Sequence, residues 1–598
     1  MGVASVAPAL AQTQDVPPAA DSAARDSVAA AAAKKRLAAD TLRPPLARPY
    51  TPRSADLPGR ATHWDREAIF ASGALTLGEL IARVPGVTPI TTGFVLSPQV
   101  AAWYGDPGRL HLFVDGVEYD PLGLRNGGVA DLAGFPLWTL EDVLVERAAG
   151  ELRVHLRTWR VDHLAPATRT DILTGSENLN LYRGFFGRRF RNGMAVQVAG
   201  QQLSSVSRGG IDGDGLGGMA RLAWANASWN VDATWLRQGV HRNEGVRYIL
   251  PISAAAVVLR AMPALKGSES VAYLRATWRD PQADGPWAQI IASSQAASMT
   301  VRRDTGAARA SAVALADTVD STATRTQYVV AAGITRWGLR LSSTSRLRLA
   351  NGKTYFTPGA RVEYDARRLT VSGFAERGID SITRTDVVAR FAPLSWINLG
   401  GSLSRAAPRS AALAAAVSAR AEFAVKIRDR WIGGGLITRG AALLAPPIEI
   451  DTALRAVSEP QATGTIISLH GPLLLGWTLD LDAIQWNAAG AYRPQTQSRA
   501  MLGFESSFLG RFPRGNFHLA VSVTNEFRTT TYVPLGISVA GQQTPGFSVF
   551  STLLEIRIAS AVVSWQYRNL SGKSYETYPG YLMPRLVNVY GVRWEFWN

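Results

Sequence analysis

The chain has 598 residues, 46% of them hydrophobic; 63 Lys and Arg against 47 Asp and Glu give a net charge of +16, and there is no cysteine. Mean hydropathy is +0.00, and no run of roughly 18 apolar residues occurs, which excludes membrane-spanning helices. The lack of cysteine excludes disulfides, thiol nucleophiles and Cys zinc sites, and fits an oxidising, extracytoplasmic compartment.

The arginines are spread through alternating segments, as at Arg346, Arg348, Arg557 and Arg593. Nucleic-acid binding needs basic clusters with interleaved aromatics on one face, so nucleic acid is set aside as a partner. A barrel interior or anionic lipid headgroups suit scattered arginine better.

In chain order, residues 1–11 end in Ala9-Leu10-Ala11 behind a short apolar stretch and read as the remnant of a secretory signal peptide. Residues 12–62 are rich in Ala, Pro, Asp and Arg and are expected to form a disordered periplasmic leader. Pro44, Pro45, Pro49, Pro52 and Pro58 keep it extended.

Order is expected from Trp64, in a small α+β domain over 63–165. Leu77, Leu80, Ile81 and Val84 have helical spacing, Thr76 with Glu79 forms a capping box, and Pro85-Gly86 stops the helix. Residues 93–108 carry Gly and Pro and read as loop. Leu110, Leu112 and Val114 alternate with His111 and Phe113 up to Asp115-Gly116, a strand entering a tight hairpin. Residues 143–147 and 152–157 are two further strands joined around Gly150.

These pieces, in this order, resemble the plug domain of TonB-dependent outer-membrane receptors: a helix ending in Pro85-Gly86-Val87, a strand ending in Asp115-Gly116-Val117, and a strand from Leu140 through Glu146-Arg147 to Gly150. The resemblance covers roughly residues 70–160. It implies a plug inside an outer-membrane barrel that binds and imports a scarce small-molecule solute. The implied partners are outer-membrane lipid and a TonB-type energy-coupling protein. Pro85, Gly86, Asp115, Gly116, Glu146, Arg147 and Gly150 are the plug-motif positions. Hairpin geometry alone would also account for Asp115-Gly116. Ion pairs from Glu146 and Arg147 to the barrel wall are implied, with Glu505, Glu526 and Arg557 as candidate wall partners.

The chain departs from the family twice. After Gly150 it enters the next strand at Glu151 without the usual glycine-rich loop, so the plug is shortened. No part of residues 12–70 resembles a TonB box. A structural, non-transporting plugged barrel without TonB coupling is therefore the alternative.

Residues 166–598 alternate with period 2. Phe517, Leu519, Val521 and Val523 oppose His518, Ala520, Ser522 and Thr524, and Tyr590, Val592, Trp594 and Phe596 oppose Gly591, Arg593 and Glu595. So many strands with one polar face need a wide, wet interior. The expected fold class is an all-β transmembrane barrel of about 22 antiparallel strands, from a count of roughly 20 to 22, with the plug in its lumen. Trp224, Trp229, Trp235, Trp278, Trp287, Trp337, Trp396 and Trp431 are expected to form an aromatic girdle. Segments 239–268, 303–324 and 439–461 are expected as outward loops.

Motifs for chemistry are weak. Gly213-Asp214-Gly215-Leu216-Gly217-Gly218 lacks a βαβ setting and reads as a flexible hairpin loop. The seven histidines show no HExxH, and there is no G-x-S-x-G elbow. No catalytic residue, metal ligand or cofactor is expected.

Overall fold

A computed structural model describes residues 45–597 except 54, 61, 120–128, 207–211, 244, 250–257, 263, 304–316, 351, 380, 409–414, 448–449, 451–453, 513–515 and 536–542. Residues 1–44, which include the expected signal-peptide remnant 1–11, lie outside the described residues.

Twenty-two antiparallel strands close into one barrel. The first, Ala167–Gly175, pairs with the last, Val587–Trp597, from Ala167 opposite Trp597 to Gly175 opposite Val589. Closure leaves no free sheet edge, which a strand protein in lipid requires. The alternation sorts the faces. In the strand Gly285–Arg303, Ile290 is 59% exposed while its neighbours Gln289 and Ile291 are 3% and 1% exposed. Ile172, Leu216 and Leu274 face outward in the same way. The outer face is thus apolar, as hydrocarbon demands, and the inner face polar. No described helix could cross a membrane; the crossing is made by strands. The turns at 226–228, 337–338, 395–396, 428–429 and 559–560 are short and share the end where the first strand begins. Most of the longer connections lie at the other end. Short turns mark the periplasmic end of such barrels and long loops the outer end.

Inside sits the plug. Its mixed sheet has the order β1-β6-β7-β4-β5, with β1 His63–Asp65, β4 Leu110–Val114, β5 Val117–Tyr119, β6 Leu140–Arg147 and β7 Leu152–Thr158. Strands β6 and β7 form the hairpin expected around Gly150, and β4 runs parallel to β7. Helices α1 (Arg66–Ala71) and α2 (Leu77–Ile81) pack against it. Leu77, Leu80, Ile81, Val143, Val145, Leu152 and Val154 are fully buried in this core. The Thr76 cap forms, its hydroxyl accepting from the Glu79 N–H (3.3 Å), while the Glu79 carboxylate reaches one residue past the cap and accepts from the Leu75 N–H (2.8 Å). Gly86 ends this turn at φ +100, where an added Cβ would lie 2.4 Å from a Tyr104 ring carbon.

Several expectations are corrected. Residues 93–108 are not all loop: β3, Gln99–Trp103, pairs with β2, Val87–Thr91. All five β3 residues are buried, so the strand shows no alternation to read. Described residues from 45 to 60 are not a disordered leader but an extended strap inside the lumen, with Tyr50 stacked on Trp287 (5.1 Å). Trp287 is therefore a lumen residue, 2% exposed, while Trp224, Trp229, Trp337 and Trp396 do face outward. Residues 213–218 belong to the strand Gly213–Ala225. There Gly217 lets the plug approach, since a Cβ would lie 2.9 Å from Trp138. Barrel strands also extend into the segments expected as long loops, through Asp317–Arg336 and Ala264–Trp278.

The lipid-facing assignment predicts that Ile290→Arg costs about 2–4 kcal/mol. Refolding into lipid vesicles should show a lowered folded fraction, whereas a soluble sandwich surface would tolerate the change.

Candidate functional site

Asp115 occupies the first corner of the β4–β5 turn at φ +50, followed by Gly116 at φ +90. Asp tolerates this left-handed region and Gly favours it, which explains the tight hairpin. The turn is only part of its role. The Asp115 side chain is buried, and its Oδ1 accepts from Arg160 (2.8 Å) and from the Thr158 N–H (3.2 Å). Its Oδ2 accepts from the Thr158 hydroxyl (2.5 Å), the Tyr273 hydroxyl (2.5 Å) and Arg221 (3.2 Å). Arg221 and Tyr273 belong to the barrel wall. Asp232, on the strand between them, pairs with Arg221 (3.1 Å) and Arg275 (2.6 Å), and Arg275 donates to the Asp115 carbonyl (3.3 Å). Burial pushes the Asp115 carboxyl up. Arg160, Arg221 and Arg275 outweigh it and hold the group well below the usual carboxylate range.

The β6–β7 hairpin makes the second clamp. Arg361 of the wall forks onto Glu146, with Nη2 3.0 Å from Oε2, and His155 lies 2.6 Å from the same oxygen. Burial raises Glu146, but Arg361 and His155 prevail and depress it. Burial is also the main effect on His155 and lowers it, against the pull of Glu146. Arg147, fully buried, pairs with Asp56 of the strap (3.0 Å) and Glu422 of the wall (3.5 Å). Arg420 donates to the Arg147 carbonyl (2.6 Å), and Arg60 of the strap meets Glu422 (3.2 Å). Gly150 presses its N–H on the Ser404 hydroxyl (2.7 Å); a Cβ there would sit 2.6 Å from the Ser404 Cβ. Glycine is thus required by close approach to the wall. Nearby, Glu151 binds Arg153 (2.7 Å) and Arg384 (2.6 Å), and Arg153 also meets Asp386.

Pro85 and Gly86 lie away from these clamps, beside a cavity that also touches Gln497 and Arg528. The three candidate wall partners are placed elsewhere than on Glu146 and Arg147. Glu505 is exposed, Glu526 pairs with Arg499 of the wall (3.5 Å), and Arg557 approaches Glu67 of α1 (3.7 Å). The partners actually used, Arg221, Arg361, Glu422 and the strap residues Asp56 and Arg60, were missed. The wall partners' only signal is charge on the polar face of an alternating strand, a signal many residues share.

At the outer end, loop residues close over the plug. Leu444, Leu454, Tyr492, Val533 and Tyr578 pack with Ile90 and Val100 of the plug. Thr577 clips the Thr91 backbone, accepting from its N–H (2.9 Å) and donating to its carbonyl (2.7 Å). Among the described residues no group of His, Asp and Glu could hold a metal ion.

This arrangement defines a plugged β-barrel. Residues 53–154 match the family model of the TonB-dependent receptor plug domain. The chain thus carries a domain of the TonB-dependent receptor plug family inside a closed 22-strand barrel. Three solved structures share the fold. The siderophore receptor PirA of Acinetobacter baumannii is 10% identical, with 90% of this chain and 98% of that one covered at a TM-score of 0.67. The FrpB iron transporter of Neisseria meningitidis is 11% identical, with coverages of 90% and 100% and a TM-score of 0.66. A variant of the ferric enterobactin receptor of Pseudomonas aeruginosa, in complex with enterobactin, is 12% identical, with coverages of 91% and 100% and a TM-score of 0.65. No curated protein matches the sequence.

Removing one partner of a buried pair leaves the other charge uncompensated, at a cost of about 3–5 kcal/mol. Asp115→Asn should therefore loosen the plug by about that amount, seen as faster proteolysis of plug peptides while the barrel stays intact. Because Asp115 and Glu146 are depressed in the folded state, their stabilisation is present above the unfolded carboxylate range, about pH 4. It is lost as pH falls through the folded values. Plug proteolysis by an acid-active protease should stay slow at pH 5 and accelerate below about pH 4, and Glu146→Gln should bring the acceleration to higher pH.

Proposed function

We propose that the chain is a bacterial outer-membrane receptor that captures a scarce small solute at its outer face and admits it past the plug. The observation that carries this reading is a lumen filled by a plug whose sheet is ion-paired to the wall and whose outer turns lie beneath the loops. A purely structural barrel has no need of so elaborate a stopper. The strap supports coupling to an energy source at the periplasmic end. Its Arg48 meets Asp280 (3.0 Å) beside a short turn, and Asp56 ties it to Arg147. Tension from the N-terminal side of the strap would load the Arg48–Asp280 and Tyr50–Trp287 contacts first and Asp56–Arg147 after them.

Ferric siderophores are the first class of solute to test, because the neighbouring structures include a siderophore receptor and a ferric enterobactin receptor. Uptake of radiolabelled iron as ferric enterobactin and other ferric siderophores is compared in cells with and without this chain, and with and without the TonB-type protein. The reading expects uptake that needs both. No chain-dependent uptake, together with no binding of a TonB C-terminal domain, would instead favour the non-transporting barrel.

A further inference from the structure

The plug does not meet the wall evenly. On the strands from Gly213–Ala225 to Ala416–Ile427, the inner-face arginines Arg221, Arg275, Arg361 and Arg420 are at most 7% exposed. All four reach plug or strap groups. On the strands Thr496–Ser506, Phe517–Arg528 and Phe547–Ile558 the inner face is different. Gly503, Ser522 and Leu553 stand opposite one another there, as do Met501, Thr524 and Ser551. Ser522, Thr524 and Ser551 are only half-buried, because these short side chains do not reach the plug.

Three adjoining cavities follow this strip. One of about 230 Å³ lies between α2 and the wall, lined by Arg83, Arg499, Ser522 and Ser551. A second of about 70 Å³ shares Arg83 and Arg499 with it. A third, of about 40 Å³, shares Gly73 and Gln566 and runs on past α1 to Ser564. The ion pairs that bridge the strip have water-exposed side chains, and at its outer end Arg528 donates to the Pro89 carbonyl (3.0 Å). Arg568 forks onto Glu79 (2.6 and 3.0 Å) and Arg557 approaches Glu67 (3.7 Å), with side chains between 18% and 81% exposed. Solvent screens such pairs, whereas those on the arginine wall are buried.

We infer that the solute path runs along this strip, between the α1–α2 face of the plug and the wall from Thr496 to Arg568, while the plug sheet stays clamped to the arginine wall. This inference rests on the import reading and gives it a location. The lining also states a chemistry. The five carboxylates of the three linings nearly balance their six arginines, and hydroxyls fill the gaps between them, so the path suits a hydrophilic solute of low net charge.

The chain has no cysteine, so single serine-to-cysteine variants of the full protein report local access directly. Ser522→Cys, Ser551→Cys and Ser564→Cys sample the strip; Ser293→Cys and Ser404→Cys sample the clamped wall, where both serines are buried. Separate portions of each purified variant, its barrel verified by heat-modifiable gel mobility, are treated with an anionic or a cationic methanethiosulfonate reagent. The strip cysteines should react at least 30-fold faster than the wall cysteines, and the two reagents should differ by no more than about threefold at a given strip position. Equal rates on the two walls, slow or fast, would overturn the path; a large preference for one reagent would overturn its chemistry. Thiol reactivity needs no transported solute. Reactive strip cysteines without uptake would sink the import reading alone, and uptake with silent strip cysteines would sink this inference alone.

Discussion

A carboxylate buried at the tip of one plug hairpin is the contact on which the rest of the lumen depends. Asp115 is 2% exposed and carries a full charge away from bulk water. Such a charge is stable only when matched and hydrogen-bonded. Arg160 of the plug and Arg221 of the wall supply the match, and Tyr273 and Thr158 occupy remaining lone pairs. Long, planar arginines line one wall and fork onto plug carboxylates, a geometry that lysine cannot reproduce. Because each partner would be stranded without the other, the plug is held in one register.

The strand alternation made the barrel legible, and closure of its first and last strands follows from a final strand as amphipathic as the others. Local chemistry showed the plug. Thr76 with Glu79, Gly86 after Pro85, and Gly116 after Asp115 each mark a backbone event that neighbouring residues decide. Long-range contacts left no such trace. Glu146 and Arg361 are 215 positions apart, and Arg60 and Glu422 are 362 apart. A proline-rich segment reads as disordered until Trp287 and Glu422 are seen waiting for it. The wholly buried β3 strand was hidden for a related reason, since burial on both faces removes the period that identifies a strand.

The lumen therefore has two characters set by side-chain length. Where arginine faces inward, the wall reaches the plug and holds it through buried pairs. Along Ser522, Thr524 and Ser551 it stops short and leaves room. The same difference separates plug elements by expected local stability. The sheet β4-β6-β7 rests on the arginine wall, and α1 and α2 border the cavities.

Hydrogen exchange of the intact protein in detergent, read peptide by peptide, tests this most directly. Amides of β4, β6 and β7 should stay protected nearly as long as those of the barrel strands, while the residues around α1 and α2 exchange much sooner. A plug that exchanges as one fast unit, sheet and helices together, would contradict the claim that the arginine wall holds it in place.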